Sequence, residues 1–184
     1  MGTRHLIAVM YNNEYRIAQY GQWDGYISGQ GADILKFLQT VDLDKFKQKL
    51  QNVSFLTDED IENINSTYPN GKWKNVFPYL SRDMGSEILN YVYNLQEDQI
   101  KLQNKIEFSK DSLFCEYAYV IDLDNNSFEI YKGFNKTPID EDQRFYWNNY
   151  QDNGYYPVKL HTKFNLTVLP DYDTLLKIDN TEEF

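Results

Sequence analysis

The chain reads as an α+β fold, with antiparallel sheets covered by helices, on three observations. Runs such as His5 to Tyr11 and Leu113 to Leu123 are apolar on both faces and short enough to be strands lying between layers. Other stretches, such as Ala32 to Gln39 with Ile34, Leu35, Phe37 and Leu38, carry the apolar stripe of a helix. The two kinds of segment are grouped along the chain and do not alternate, which separates α+β from parallel α/β domains.

Taken in order, His5 to Tyr11 and Glu14 to Gln22 form a hairpin closed at Asn12-Asn13. Because both faces are apolar, the hairpin is expected inside the layers and not at an edge. A glycine-rich loop then empties into the helix over Ala32 to Gln39, whose free N–H groups would favour an anion or a carbonyl. Asp42 is placed to cap a helix over Leu43 to Leu50, and Thr57, ahead of Asp58, Glu59 and Asp60, opens a third helix reaching about Asn65. Tyr68-Pro69-Asn70-Gly71 is a turn, followed by an irregular packing section around Trp73, Val76, Phe77, Tyr79 and Leu80. Asp83 is expected to cap a helix over Gly85 to Leu95, while Gln96 to Lys110 is polar and shows no clear period.

Leu113 to Leu123 predicts one long strand, with Leu113, Cys115, Tyr117, Tyr119 and Ile121 on one face and Phe114, Glu116, Ala118, Val120 and Asp122 on the other. Asp124-Asn125-Asn126 turns it onto Ser127 to Tyr131. A long connection over 133–154 follows, anchored by Arg144, Tyr146 and Trp147. Tyr156 to Leu169 reads as a strand ended by Pro170, Asp171 to Ile178 as a closing helix, and the acidic last residues as frayed. The total is about five strands in antiparallel pairs and four or five helices, within one domain spanning 1–184.

Composition narrows the function classes. A formal net charge of −10 argues against gripping a nucleic acid polymer through counterion release, but leaves room for a small anion held by local donors. Cys115 is the single cysteine, so neither an intrachain disulfide nor a multi-cysteine metal site is available. The two histidines lie far apart in sequence, and no zinc site is expected. The start lacks the layout of a secretory signal, Leu6 stands where a myristoylation motif wants Ser or Thr, and no apolar run approaches a membrane span. The expectations are a reducing cytosol, no membrane partner, no cofactor and no metal, with homo-oligomerisation left open.

The stretch from Tyr15 to Gly31 holds four of the nine glycines, with Gln, Asp, Ser, Tyr and Trp between them. Glycine lets a backbone approach a ligand closely, and flat rings with amides suit recognition better than bond breaking. The pattern Gly25-x-x-x-Gly29-x-Gly31 matches neither a phosphate-binding P-loop nor a dinucleotide fingerprint. Tyr20, Trp23 and Tyr26 are candidates for stacking on a flat ring. Gln19, Gln22, Ser28 and Gln30 supply hydrogen-bonding groups, and Asp24 an acceptor. Arg4 is a candidate anion clamp and His5 a candidate proton carrier beside the first strand. Glu116, a carboxylate on a strand face, needs a partner, with Arg82 or Arg144 in view. Cys115 on an apolar face reads as packing.

The opening Met1-Gly2-Thr3-Arg4-His5-Leu6, the run Ala18 to Tyr26 with Ser28-Gly29-Gln30-Gly31, and the later Asp111 to Asp124 resemble a family of short proteins of phages, bacteria and fungi that carries no assigned activity. The resemblance covers most of the chain. A second resemblance is architectural. A leading hairpin with a polar turn after its second strand, and a later strand pair, look like the four-layer αββα sandwich of N-terminal-nucleophile hydrolases. Those enzymes use a Cys, Ser or Thr freed as the first residue. Here removal of Met1 exposes Gly2, so Thr3 would serve only after a further cleavage.

The reading that follows is non-catalytic binding of a small polar molecule, with nucleotide-derived ligands in range, by the glycine loop, Arg4, His5, the aromatics and Glu116. In a phage, such a protein would act by sequestering a host defence signal. The alternatives are an amide or ester hydrolase using Thr3, and a protein-interaction module.

Overall fold

Asn12 and Asn13 both take positive φ, 54° and 59°, and close a tight turn between β1 (His5–Tyr11) and β2 (Glu14–Gly21). Both of their backbone N–H groups donate to the carboxylate of Asp124 at 2.8 Å, tying this turn to the one after β5 (Tyr117–Asp122). The computed structural model describes residues 2–180. The expected frayed end beyond them and the fate of Met1 lie outside the described residues.

The main sheet has the order β2-β1-β5-β6-β7, with β6 at Ser127–Lys132 and β7 at Lys159–Asn165. All its pairings are antiparallel except β1 with β5, which run parallel. The α+β class therefore holds, with a mixed sheet in place of purely antiparallel pairs. The second sheet is small: β3 (Val53–Phe55) pairs in parallel with β4 (Ile100–Leu102). It continues past the edge of β2, where the Lys105 N–H donates to the Ala18 carbonyl, and does not stack on the main sheet. The four-layer αββα arrangement is thus not adopted. The hairpin is not interior either: β2 ends the main sheet, and this backbone contact covers part of its edge.

Helices α1 (Ala32–Thr40), α2 (Leu43–Leu50), α5 (Glu87–Tyr93) and α6 (Tyr172–Asp179) bring residues to one face of the sheet. Ile7, Val9, Ile17, Tyr119, Ile121, Phe128 and Ile130 meet Phe37, Phe46, Ile88 and Leu175 there. Each fully buried side chain of this size contributes about 1.5–3 kcal/mol. Asp42 caps α2 as expected, accepting from the Asp44 and Lys45 N–H groups. Thr57 and Asp60 form a reciprocal capping box at the start of α3 (Asp58–Thr67). Asp171 caps α6. Asp83 caps nothing, because α5 starts later and the Asp83 carboxylate accepts from the Trp23 indole at 2.7 Å. One turn of helix, α4, spans Trp73–Val76.

The opposite face is covered by irregular chain. Leu6, Ala8, Ala118, Val120 and Tyr131 pack against Cys115, Phe145 and Val158. The long strand expected from Leu113 begins at Tyr117, because Asp111 accepts from the Phe114 and Cys115 N–H groups and folds 111–115 into a turn. The segment over 134–158 is pinned by Arg144, as its anchoring role required. The guanidinium donates to Asp122 and to Glu129, the latter at 2.7 Å, and Tyr131 also donates to Glu129. Burial alone would push the Asp122 carboxyl up, but hydrogen bonds from Asn125 and Arg144 bring it below the ordinary carboxylate range. Burial likewise works against the Arg144 charge, and its bonds to Glu129 and Tyr15 reverse that effect.

Candidate functional site

The glycine loop turns inward, as its composition suggested, but it closes on the protein itself. A Cβ on Gly21 would lie 2.1 Å from the His5 ring, and one on Gly25 would lie 2.7 Å from the Thr3 carbonyl. On Gly31 it would press on the Tyr119 ring at 3.1 Å. These glycines thus serve close internal packing. The Gly25 N–H donates to Thr3, and the Tyr119 hydroxyl donates to the Gly25 carbonyl at 2.6 Å.

A turn of π-helix, Ile27–Gly31, runs straight into α1. The Gln30 and Gly31 N–H groups donate to Asp24 and Tyr26, and the Ala32 N–H to Gly29. The expected open helix N-terminus for an anion is therefore used up.

The eleven residues singled out by sequence do not form one site. His5 is fully buried with neither ring nitrogen hydrogen-bonded. Burial lowers its pKa to about 4, against smaller upward pulls from the Thr3 backbone and the Asp24 charge. Gln30 accepts from the Ser86 N–H and donates to the Trp23 carbonyl. Asp24, at φ 55°, accepts from the Tyr26 hydroxyl, and that bond raises the tyrosine pKa. Ser28 is exposed. Glu116 pairs with Arg4, 3.8 Å from its Nε, and neither Arg82 nor Arg144 reaches it. Arg4 also lies 4.6 Å over the Phe114 ring. Cys115 is buried and its thiol pushed up, as an inert packing residue would be.

Gln19 and Tyr20 do line a cleft, of about 410 Å³, at the far end of β2. In the hairpin register Gln19 sits opposite Ile7 and Tyr20 opposite Leu6, so the cleft straddles both faces of the strand edge. Trp73, Leu80 and Gln103 complete its walls, and Lys74 and Arg82 stand at its rim. Gln22 and Trp23 shape this cleft without lining it. Gln22 accepts from the Tyr20 hydroxyl at 2.6 Å, and its own N–H donates to the Arg82 carbonyl. Trp23 holds the neighbouring Asp83. The Gln19 amide donates to the Tyr79 and Ser81 carbonyls, which leaves its oxygen to accept.

Among the described residues no hydrogen bond or ion pair engages the side chains of Arg82, Lys74 or Gln103, although Lys74 rests 5.9 Å over the Trp73 ring. No carboxylate of the described residues lines this cleft. Two unspent cations, an indole, a phenol and two amides therefore converge in a protein of net charge −10.

No family model, curated protein or solved structure matches the chain. The chemistry of the cleft is thus the ground for a functional reading. Sequence reasoning missed Trp73, Lys74, Arg82 and Gln103 as a group. The available signal was a local cluster of cations around Trp73, Lys72 and Lys74, in an otherwise acidic chain.

Proposed function

We propose that the protein binds, without turnover, a small anionic molecule carrying a flat ring, of the nucleotide-derived kind, in the cleft beside Gln19 and Tyr20. The observation that carries this reading is the unspent charge of Arg82 and Lys74 next to Trp73. A guanidinium offers paired N–H donors that match a phosphate. Trp73 and Tyr20 offer faces on which a base can stack, worth about 1–3 kcal/mol per base. The Gln103 amide and the free Gln19 oxygen offer edge contacts to such a base.

The experiment is thermal stabilisation by a set of nucleoside mono- and cyclic phosphates, each beside its parent nucleoside. A phosphorylated compound should raise the unfolding temperature more than its nucleoside and be recovered unchanged by mass spectrometry. Arg82→Gln should remove the phosphate advantage, and Trp73→Ala should weaken both. Stabilisation that ignores both substitutions would place the ligand elsewhere, and chemical conversion of the bound compound would replace binding by catalysis.

A further inference from the structure

A second cleft, of about 310 Å³, opens at the end of the sheet where β1 and β5 begin and β6 finishes. It is lined by Thr3, Glu116 and Lys132, with Tyr26 and Phe134 among its walls. The two rings are 38% and 56% exposed.

Phe134 also stands at φ 52°, a left-handed conformation that a residue with a Cβ adopts only at a cost. It is held there by a short bond from its N–H to the Ser112 carbonyl and by Gly133, whose missing Cβ would lie 2.1 Å from the Cys115 carbonyl. At this strand end the ring packs edge-on against Tyr155, with centroids 6.5 Å apart, and leaves the rest of its surface open.

Charge in the cleft is balanced and incompletely spent. Glu116 is met by Arg4 at 3.8 Å and by the Arg4 N–H at 3.3 Å, both to the same oxygen, which leaves the other oxygen open. Lys132 lies 3.6 Å from the Asp179 carboxylate and also reaches the Asp179 carbonyl. An acceptor and a donor of opposite charge therefore share one small cleft with two exposed rings.

We propose that this cleft is a separate ligand site for a small zwitterion with a flat apolar body, its ammonium on Glu116, its carboxylate on Lys132 and its body against Tyr26 and Phe134. The proposal is independent of the cleft at Arg82.

The test uses the full chain, 15N-labelled, titrated with L-phenylalanine, with phenethylamine, which lacks the carboxylate, and with 3-phenylpropionate, which lacks the ammonium. L-phenylalanine should shift the Gly133 and Phe134 amides, and each single-charge analogue should bind about tenfold to a hundredfold more weakly, the loss of one charged hydrogen bond. Glu116→Gln, which keeps an oxygen for the Arg4 N–H, should weaken L-phenylalanine and phenethylamine and leave 3-phenylpropionate unchanged. Phe134→Ala, at an exposed position, should weaken all three probes. Equal binding of the three probes, no shift at Gly133 and Phe134, or insensitivity to both substitutions would overturn the proposal.

Discussion

His5 makes stability depend on pH between its folded and unfolded pKa values. The ring is fully buried, makes no hydrogen bond, and has its pKa lowered from 6.5 to about 4 by burial. Unfolding releases it to water, where it binds a proton near its ordinary pKa. Between about pH 4 and 6.5 the unfolded state therefore holds more protons than the folded one, and stability rises with pH. The stability linked to the neutral ring is complete above the unfolded pKa and is lost as pH falls towards the folded one. The whole fall is worth about 3 kcal/mol, and about 2 kcal/mol of it is lost between pH 7.5 and 5.0. The carboxyls of Asp60, Asp122 and Asp171 are lowered below 3.8 and so act at more acid pH than His5.

The assay is urea unfolding of the native chain and of His5→Leu at pH 7.5 and 5.0. With a slope of about 2 kcal/mol per molar urea, the wild-type midpoint should drop by about 1 M over that range. The His5→Leu midpoint should move much less, since leucine fills the site and leaves no nitrogen unbonded. The protein has only two histidines, so NMR can follow His5 directly, and its ring should stay neutral down to about pH 5. A His5 ring that titrates near 6.5, or an equal midpoint drop in the two proteins, would refute the reasoning.

Four further outcomes are expected. Arg144→Met should cost about 3–5 kcal/mol in chemical denaturation, because Asp122 would be left buried without its cation and Glu129 with only Lys163, at 3.9 Å. Arg144→Lys should recover only part of that loss, since a single ammonium cannot serve both carboxylates as the guanidinium fork does. Gly21→Ala should cost about 1–3 kcal/mol by driving a methyl group into the His5 ring, and a double-mutant cycle with His5→Ala should show most of that cost disappearing. Thr57→Ala should remove the capping box of α3 and lower stability by about 1 kcal/mol in the same denaturation assay.

What the sequence made legible was what neighbouring residues decide. The β1–β2 hairpin, α2 with its Asp42 cap, the Thr57 start and the closing helix after Pro170 all rest on contacts a few residues apart. The parallel pairing of β1 with β5 joins residues more than 100 positions apart, and no local pattern encodes it. The three-residue strands β3 and β4 are too short to show a period. The glycine loop was recognisable as special, but glycine marks a close approach without saying to what. Here the neighbours are His5 and Tyr119 of the same chain. The Arg82 cleft was hidden for a related reason, since four separate stretches of chain supply its walls.

That loop nonetheless keeps a functional place, as a wall and not as a rim. Tyr20, on its way in, lines the Arg82 cleft and donates to Gln22, while Tyr26, further along, lines the cleft at Glu116. Between them Gly21 and Gly25 close over the unpartnered His5 ring, and the Tyr119 hydroxyl fixes the Gly25 carbonyl from the core side. This buried contact thus lies, along the chain, between Tyr20 of one cleft and Tyr26 of the other. Loosening it, by a proton on His5 or a methyl group on Gly21, is expected to shift Tyr20 and Tyr26 without altering any charged side chain that lines either cleft. If the two proposed clefts hold ligands, acid sensitivity and ligand binding would be tied to the same few atoms.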